Sequence, residues 1–293
     1  MKLEWYKQDI EGRLGFAGGK YSGVNALLAF FIGAVFFAVF YTIVFAMLEF
    51  ADVRTAAMFF HGGEQNRSVI PYFIVFFSCW SLAILLLKNQ KLGLQRKAVK
   101  LKIVPDDPDF ILTPGSAANV LRTLYASVDD PRRFMVLNRI ERALANLKNI
   151  GRVSDVAEGL SVQAENDEAY IESTYTLLRG FIWAVPVMGF IGTVVGLSQA
   201  IGEFGKVVAA GAGVAELTSS LGGVTSGLSI AFETTMVGLI AALIVQLLAT
   251  MIRKKEEDFM DECSDYCHRY VIAKLKTLQE RQVFMGADEG NAE

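Results

Sequence analysis

The sequence predicts an all-helical, polytopic membrane protein with four transmembrane helices and a helical cytoplasmic extension. Two observations carry that prediction. The chain of 293 residues is 53% hydrophobic and only 20% charged. Its apolar residues gather into runs at 24–48, 69–87, 180–202 and 217–252, which hold 12 of the 21 Phe. A helix crosses the bilayer core with roughly 20 apolar residues, and four such runs cannot all hide in the core of so small a soluble protein.

The first run, 24–48, holds no charge. It is too long for the apolar region of a secretory signal, and no clean Ala-x-Ala site follows it. The second run opens on Val69, Ile70 and Pro71, and the third begins just after Arg179. Pro186 lies inside the third and removes one backbone hydrogen bond, which either bends the helix or marks a local irregularity. The fourth run is interrupted only by Glu233. At about 1.5 Å per residue it is longer than one span requires. The span is therefore placed near 227–252, with the Ser/Gly-rich start at the outer surface.

Charge sets the expected orientation. Lys88, Lys91, Arg96, Lys97, Lys100 and Lys102 follow the second run with no acid among them, and Arg253, Lys254 and Lys255 follow the fourth. Lys2, Lys7, Arg13 and Lys20 precede the first. The other links offer only Arg54 and Arg67, or Lys206. Positive residues stay on the cytoplasmic side. Both termini and the middle segment are expected inside. The chain then divides into a cytoplasmic N-terminal segment (1–23), two spans with a periplasmic link (24–87), a cytoplasmic helical region (88–179), two further spans (180–252) and a cytoplasmic C-terminal helix and tail (253–293). Cys79 falls in a span, and Cys263 and Cys267 fall in the inner tail, so no disulfide is expected.

Between the second and third spans, Pro105, Pro108, Pro114 and Asp129–Asp130–Pro131 break the chain into short pieces. Residues 132–148 place Phe134, Leu137, Ile140, Leu144 and Leu147 at helical spacing. Residues 154–178 read as a more acidic helix that continues into the third span. A tail helix over 256–284 carries the stripe Phe259, Cys263, Tyr266, Tyr270 and Ala273. These helices are expected to pack on one another and on neighbouring subunits. No phosphate-binding glycine loop or nucleophile elbow occurs, so neither enzyme activity nor a cofactor is expected. Cys263, Cys267 and His268 are too few ligands for a metal. His61 reads as a solvated loop residue, and no basic and aromatic interleaving points to nucleic acid.

The third and fourth spans are rich in small residues. Gly192 and Gly196 are four apart, as are Gly223 and Gly227, and Gly189 and Gly238 extend the pattern; such spacing lets helices approach closely in lipid. With nothing else to bury against, these faces are expected to assemble a ring. Thr193 lies about 20 Å along its helix from Gly180, and Thr235 about 26 Å from Ile252. Their hydroxyls either return to the i−4 carbonyl or line a water-filled path, where a hydroxyl both donates and accepts. Glu233 is the sole acid inside a span. Such a carboxylate is costly in lipid and marks a candidate ion site, an ion pair or a protonated, hydrogen-bonded acid. Two residues from Thr235, it sits roughly 200° around the helix and should not face the same lumen.

Two segments resemble the MotA/TolQ/ExbB family of proton-channel subunits. Pro186–Val187–Met188–Gly189–Phe190–Ile191–Gly192–Thr193–Val194–Val195–Gly196 is similar to the family's Pro-x-x-Gly-x-x-Gly-Thr-x-x-Gly pattern. Ala231–Phe232–Glu233–Thr234–Thr235–Met236–Val237–Gly238 is similar to its Ala-Phe-x-x-Thr-x-x-Gly pattern. The resemblance puts Thr193 and Thr235 on the two pore threonines. The four-span layout looks closer to the flagellar stator branch than to the three-span members. The resemblance implies a pentamer around two copies of a single-span ExbD/TolR/MotB-like partner whose Asp carries the translocated H+ or Na+. Ile230 stands where ExbB- and TolQ-type members carry a Glu. A charged patch that engages a rotor has no clear counterpart, although Arg132, Arg133, Arg139, Glu141 and Arg142 imitate one. The alternatives are a non-conducting membrane scaffold and a secondary transporter, the latter lacking any inverted-repeat pair with broken helices.

Overall fold

The structure, a computed structural model, describes residues 3–48, 69–107, 109–145, 147, 153–211 and 213–275. Two short helices open the chain, α1 (Trp5–Gln8) and α2 (Ile10–Arg13). They are followed by α3 (Ala26–Leu48), α4 (Ile70–Val99), α5 (Pro114–Ser127), α6 (Met135–Ala145), α7 (Val153–Ser173), α8 (Thr176–Ala209) and α9 (Val214–Cys267). A 3₁₀ turn at Pro131–Arg133 precedes α6, and a π turn at His268–Ile272 follows α9. Among the described residues there is no strand, only isolated bridges at Leu3–Val128 and Leu112–Leu275. The fold is all-helical, and α3, α4, α8 and α9 are long and apolar enough to cross a membrane. Arg54, His61 and Arg67 of the expected outer link lie outside the described residues, as do Lys2, Pro108, Lys148 and the expected tail helix beyond residue 275.

The chain forms two compact units. One comprises Ala26–Leu86 and Thr176–Met251. In it α3 and α4 approach closely where Gly33 meets Trp80: a methyl on Gly33 would lie 2.7 Å from the Trp80 Cα. Aromatic rings fill the seam, with Phe30 edge-on to Trp80 at 5.1 Å and Trp80 tilted against Phe181 at 4.6 Å. Such pairs add about 0.5–1.5 kcal/mol beyond their area burial. A second cluster joins Ile70 and Ile74 of α4 to Val185 of α8 and to Val237 and Ala242 of α9. The outward faces are apolar. Leu27, Phe31, Val35, Val39 and Ile43 form an exposed stripe on α3, and Phe232, Leu239, Leu243, Leu247 and Met251 are exposed on α9. A water-soluble surface does not carry apolar faces of this extent; lipid or neighbouring chains must cover them. The chain is a multi-pass membrane protein.

The other unit comprises Met1–Asn25, Leu87–Tyr175 and Ile252–Glu293. Thr113 begins α5 with a capping box to Ser116, and Pro114 takes the first helical position, where its missing N–H costs nothing. Asp130 accepts from the Arg132 amide at the start of the 3₁₀ turn. Phe134, Leu137, Ile140, Leu144 and Leu147 are all buried, as their spacing predicts. The helix over 154–178 is interrupted at Thr174 and Tyr175, between α7 and α8. Its continuation, α8, runs through Gly180 and Pro186 without a break. In the tail, Phe259, Cys263 and Tyr266 are buried as expected, but Ala273 is exposed, and Val271 and Leu275 are buried instead. The π turn adds a residue to one helical turn and rotates the stripe.

Three charges depart from expectation. Lys88 and Lys91, part of the basic flank that follows the second run, are fully buried. The Lys88 ammonium lies 3.0 Å from Glu256 Oε1 and stands over the Tyr175 ring at 4.1 Å. Lys91 pairs with Glu11 at 2.5 Å and donates to the Gly23 carbonyl at 2.5 Å. Arg139, read as a patch residue, is buried as well and donates to Asp167 at 2.8 Å. Acids distant in the sequence bring each of these cations inside, because a charge enters a protein interior only when paired and hydrogen-bonded. The phenol of Tyr21 donates to the same Asp167 at 3.0 Å. Burial and the Asp167 carboxylate push its pKa well above the ordinary value, so it remains a donor at any physiological pH.

Candidate functional site

The site is built on α8 and α9 within the apolar unit. Close approaches pair Val185 and Gly189 with Gly238, Gly189 with Thr235, Gly192 with Thr234, Gly196 with Ala231 and Ala200 with Gly227. One number rises as the other falls, so the two helices are antiparallel. A methyl on Gly192 would lie 2.5 Å from Thr234 Cγ2, and one on Gly227 would lie 2.7 Å from Ala200 Cβ. One on Gly238 would lie 3.1 Å from the Val185 carbonyl. The helices touch along this row because half of its members are glycines and two more are alanines. Gly223 is different, with open space around it. Pro186 sits inside the unbroken α8.

The row corrects one expectation. The small faces of α8 and α9 do have something to bury against, since they bury against each other within one chain.

Close backbones bring the two threonines together. The Thr235 hydroxyl donates to the Gly189 carbonyl across the helix pair at 2.9 Å. Thr193 Oγ1 lies in direct contact with Thr235 Oγ1. The carbonyls of Ala231 at 3.3 Å and Gly189 at 3.4 Å are the other acceptors within its reach. Thr235 thus bonds across to α8, rather than back along its own helix. Both residues are half-buried, so one side of the pair is open. Two adjoining hydroxyls on carbonyl-lined backbone can pass a proton between oxygens or hold a water or small cation.

Glu233 does not join them. It is half-buried, and its carboxylate accepts from Ser229 at 3.4 Å, one turn back along α9. Thr234, its neighbour, is a residue that sequence reasoning passed over. It is buried, returns its hydroxyl to the Ile230 carbonyl at 2.9 Å and packs its methyl on Gly192. The signal was present in its position between Ala231 and Gly238, on the face of α9 that carries small residues. Among the described residues no three His, Cys, Asp or Glu side chains converge as a metal site; Cys263 and Cys267 are buried, while His268 is exposed.

Residues 130–265 match the MotA/TolQ/ExbB proton channel family. This segment is similar to that family. It contains α6, α7, α8 and most of α9, and so the whole threonine site. MotA/TolQ/ExbB proteins are proton-channel-type membrane subunits of energy-transducing complexes that typically work with a partner subunit. Comparison with curated proteins and with solved structures found no match.

A Leu at Gly192 should separate α8 from α9, because its side chain must displace Thr234. Overpacking of this kind costs about 1–3 kcal/mol or more. Gly223→Leu, in open space, should leave the isolated chain unchanged. Size-exclusion profiles and thermal melts in detergent compare the two. Parent-like behaviour of Gly192→Leu would mean that the helices are not closely packed there.

Proposed function

We propose that this chain is a pore-forming ring subunit of a proton- or sodium-driven motor complex of the bacterial inner membrane. Five copies surround two copies of a single-span partner of the ExbD/TolR/MotB type, whose Asp carries the ion. The observation behind this reading is the contact between Thr193 and Thr235 on the glycine-packed α8–α9 pair, inside the family segment. In this reading the open side of the pair faces the partner helix and holds water or an ion beside its carboxylate. The chain supplies the wall of the path, and the partner supplies the group that titrates. The exposed apolar residues of α3 and α9 meet lipid and neighbouring subunits. The termini and the middle segment lie in the cytoplasm, as the basic residues favour.

One observation favours a second reading. Each hydroxyl finds an acceptor within the chain, which suits a latch in a non-conducting scaffold. Native mass measurement of the detergent-solubilised complex with its partner, followed by ion flux in vesicles, decides between them. A ring of five that conducts supports the motor; a monomer or dimer, or a ring without flux, rejects it. In the same assay Glu233→Gln should lower flux while leaving the ring intact if the carboxylate serves the ion path. Flux equal to the parent would remove Glu233 from the path.

A further inference from the structure

A cavity of about 580 Å³ opens beside α6 and α7, within the range of small-molecule sites. Three cations, Lys20, Arg132 and Arg142, line it together with Asn138, Gln163 and Asn166. A neighbouring cavity of about 390 Å³ shares Arg142, Gln163 and Asn166. The three cations and Asn166 are exposed and form the mouth.

The wall is different. Gln163 is 8% exposed, and its Nε2 has no hydrogen-bond partner. Glu141 is 9% exposed; its Oε1 accepts from the Tyr125 hydroxyl at 2.7 Å, but its Oε2 has no partner. An unpaired buried donor or acceptor costs about 1–3 kcal/mol, and such groups are few in native proteins. Two other polar groups of the cavity, Asp167 and Asn138, are engaged. Asp167 accepts from Arg139 and Tyr21, and Asn138 donates to the Tyr21 hydroxyl at 2.7 Å. Tyr21 itself takes a φ of 53°, a left-handed conformation uncommon for a bulky residue.

The cavity therefore combines a cationic mouth with one unpaired donor and one unpaired acceptor buried in two of the residues that line it. We propose that it binds a small organic phosphate whose uncharged end carries both a hydrogen-bond donor and an acceptor. The phosphate meets Lys20, Arg132 and Arg142 at the mouth, where guanidinium groups suit its geometry. The Glu141 carboxylate repels a second anion, so the neutral end points inward. There its donor reaches Glu141 Oε2, and its acceptor takes the Gln163 amide. The terminal torsions of Gln and Glu are broad, so both groups can turn towards a ligand. This inference does not rest on the pore reading.

GMP is a suitable probe, because it carries a phosphate at one end and ring N–H and C=O groups at the other. Calorimetry on the full-length protein in detergent compares GMP with inorganic phosphate and with guanosine. GMP should bind, and each control should bind at least about tenfold more weakly. Gln163→Met should weaken GMP by about tenfold without changing the affinity for phosphate. Arg142→Gln should weaken both. If Gln163→Met does not fold, the isosteric Gln163→Glu, which removes the same donor, carries the test with the same expected loss for GMP. The proposal is overturned by no saturable heat with GMP, or by phosphate or guanosine binding as tightly as GMP. Parent-like binding in the variants overturns it as well.

Discussion

Thr193→Val and Thr235→Val should each lower ion flux by about tenfold or more while the complex still assembles. The two effects separate for a structural reason. Each threonine hydroxyl donates to the other threonine or to a carbonyl on the opposite helix. Those carbonyls belong to continuous helices and keep their backbone partners. Removing one hydroxyl thus leaves no backbone group unsatisfied. Side-chain hydrogen bonds between membrane helices average about 0.6 kcal/mol, so the folding cost should be small. On the conduction path the same change removes an oxygen that must hold a water or ion. A loss of about 1.4 kcal/mol in the transition state is tenfold in rate, and an unmade buried hydrogen bond costs about 1–3 kcal/mol. Thr→Ser keeps the oxygen and should retain most of the flux. The measurement is flux in vesicles at matched assembly with the partner. If both Val variants conduct like the parent, the pair is a latch between helices and the pore reading fails at these positions. A changed preference between H+ and Na+ would instead make the pair part of the filter.

The second large effect is expected at Lys88 and Glu256. The ammonium of Lys88 is wholly buried between the Glu256 carboxylate at 3.0 Å and the Tyr175 ring, and the Tyr175 hydroxyl donates to Glu256 Oε2 at 2.5 Å. Lys88→Met leaves that carboxylate buried with one phenol as its remaining strong donor. Glu256→Leu leaves the ammonium with no anion, only the Ser22 hydroxyl at 3.5 Å and the Tyr175 ring. Breaking a buried pair on one side costs about 3–5 kcal/mol, whereas replacing both partners by apolar residues is often neutral. Each single variant should therefore melt about 10 °C lower in detergent. The double variant Lys88→Met/Glu256→Leu should recover most of the loss. Singles that melt within about 2 °C of the parent would show that water or neighbouring groups already solvate this pair. A double variant as unstable as the singles would place the loss in packing rather than charge.

Much of the fold was legible because lipid imposes a simple rule. A helix in a bilayer satisfies its own backbone, so apolar length alone announces it. That is why the four long helices stand where the runs at 24–48, 69–87, 180–202 and 217–252 put them. The same holds for α6, where the residues at helical spacing, Leu137, Ile140 and Leu144, are buried. The pairing of Thr193 with Thr235 was also within reach. Both lie in glycine patterns, and an antiparallel pair of helices brings matched depths together. Glu233 was separated from them by its angle around the helix, and the structure gives it Ser229 instead.

The sequence by itself determined the class, the helices and the pair of motifs that carry the site. Those depend on properties local to one helix, namely apolar length, period and the spacing of small residues. Tertiary structure alone decided which charges leave water and which glycines are filled. Lys88, Lys91 and Arg139 look like surface cations until Glu256, Glu11 and Asp167 arrive from far along the chain. Gly192 and Gly227 are occupied by Thr234 and Ala200, while Gly223, with the same spacing, meets open space. The unpaired amide of Gln163 and carboxylate oxygen of Glu141 are equally invisible in sequence. A side chain's partners are set by what other segments bring to it, and neither its own identity nor its neighbours along the chain contain that information.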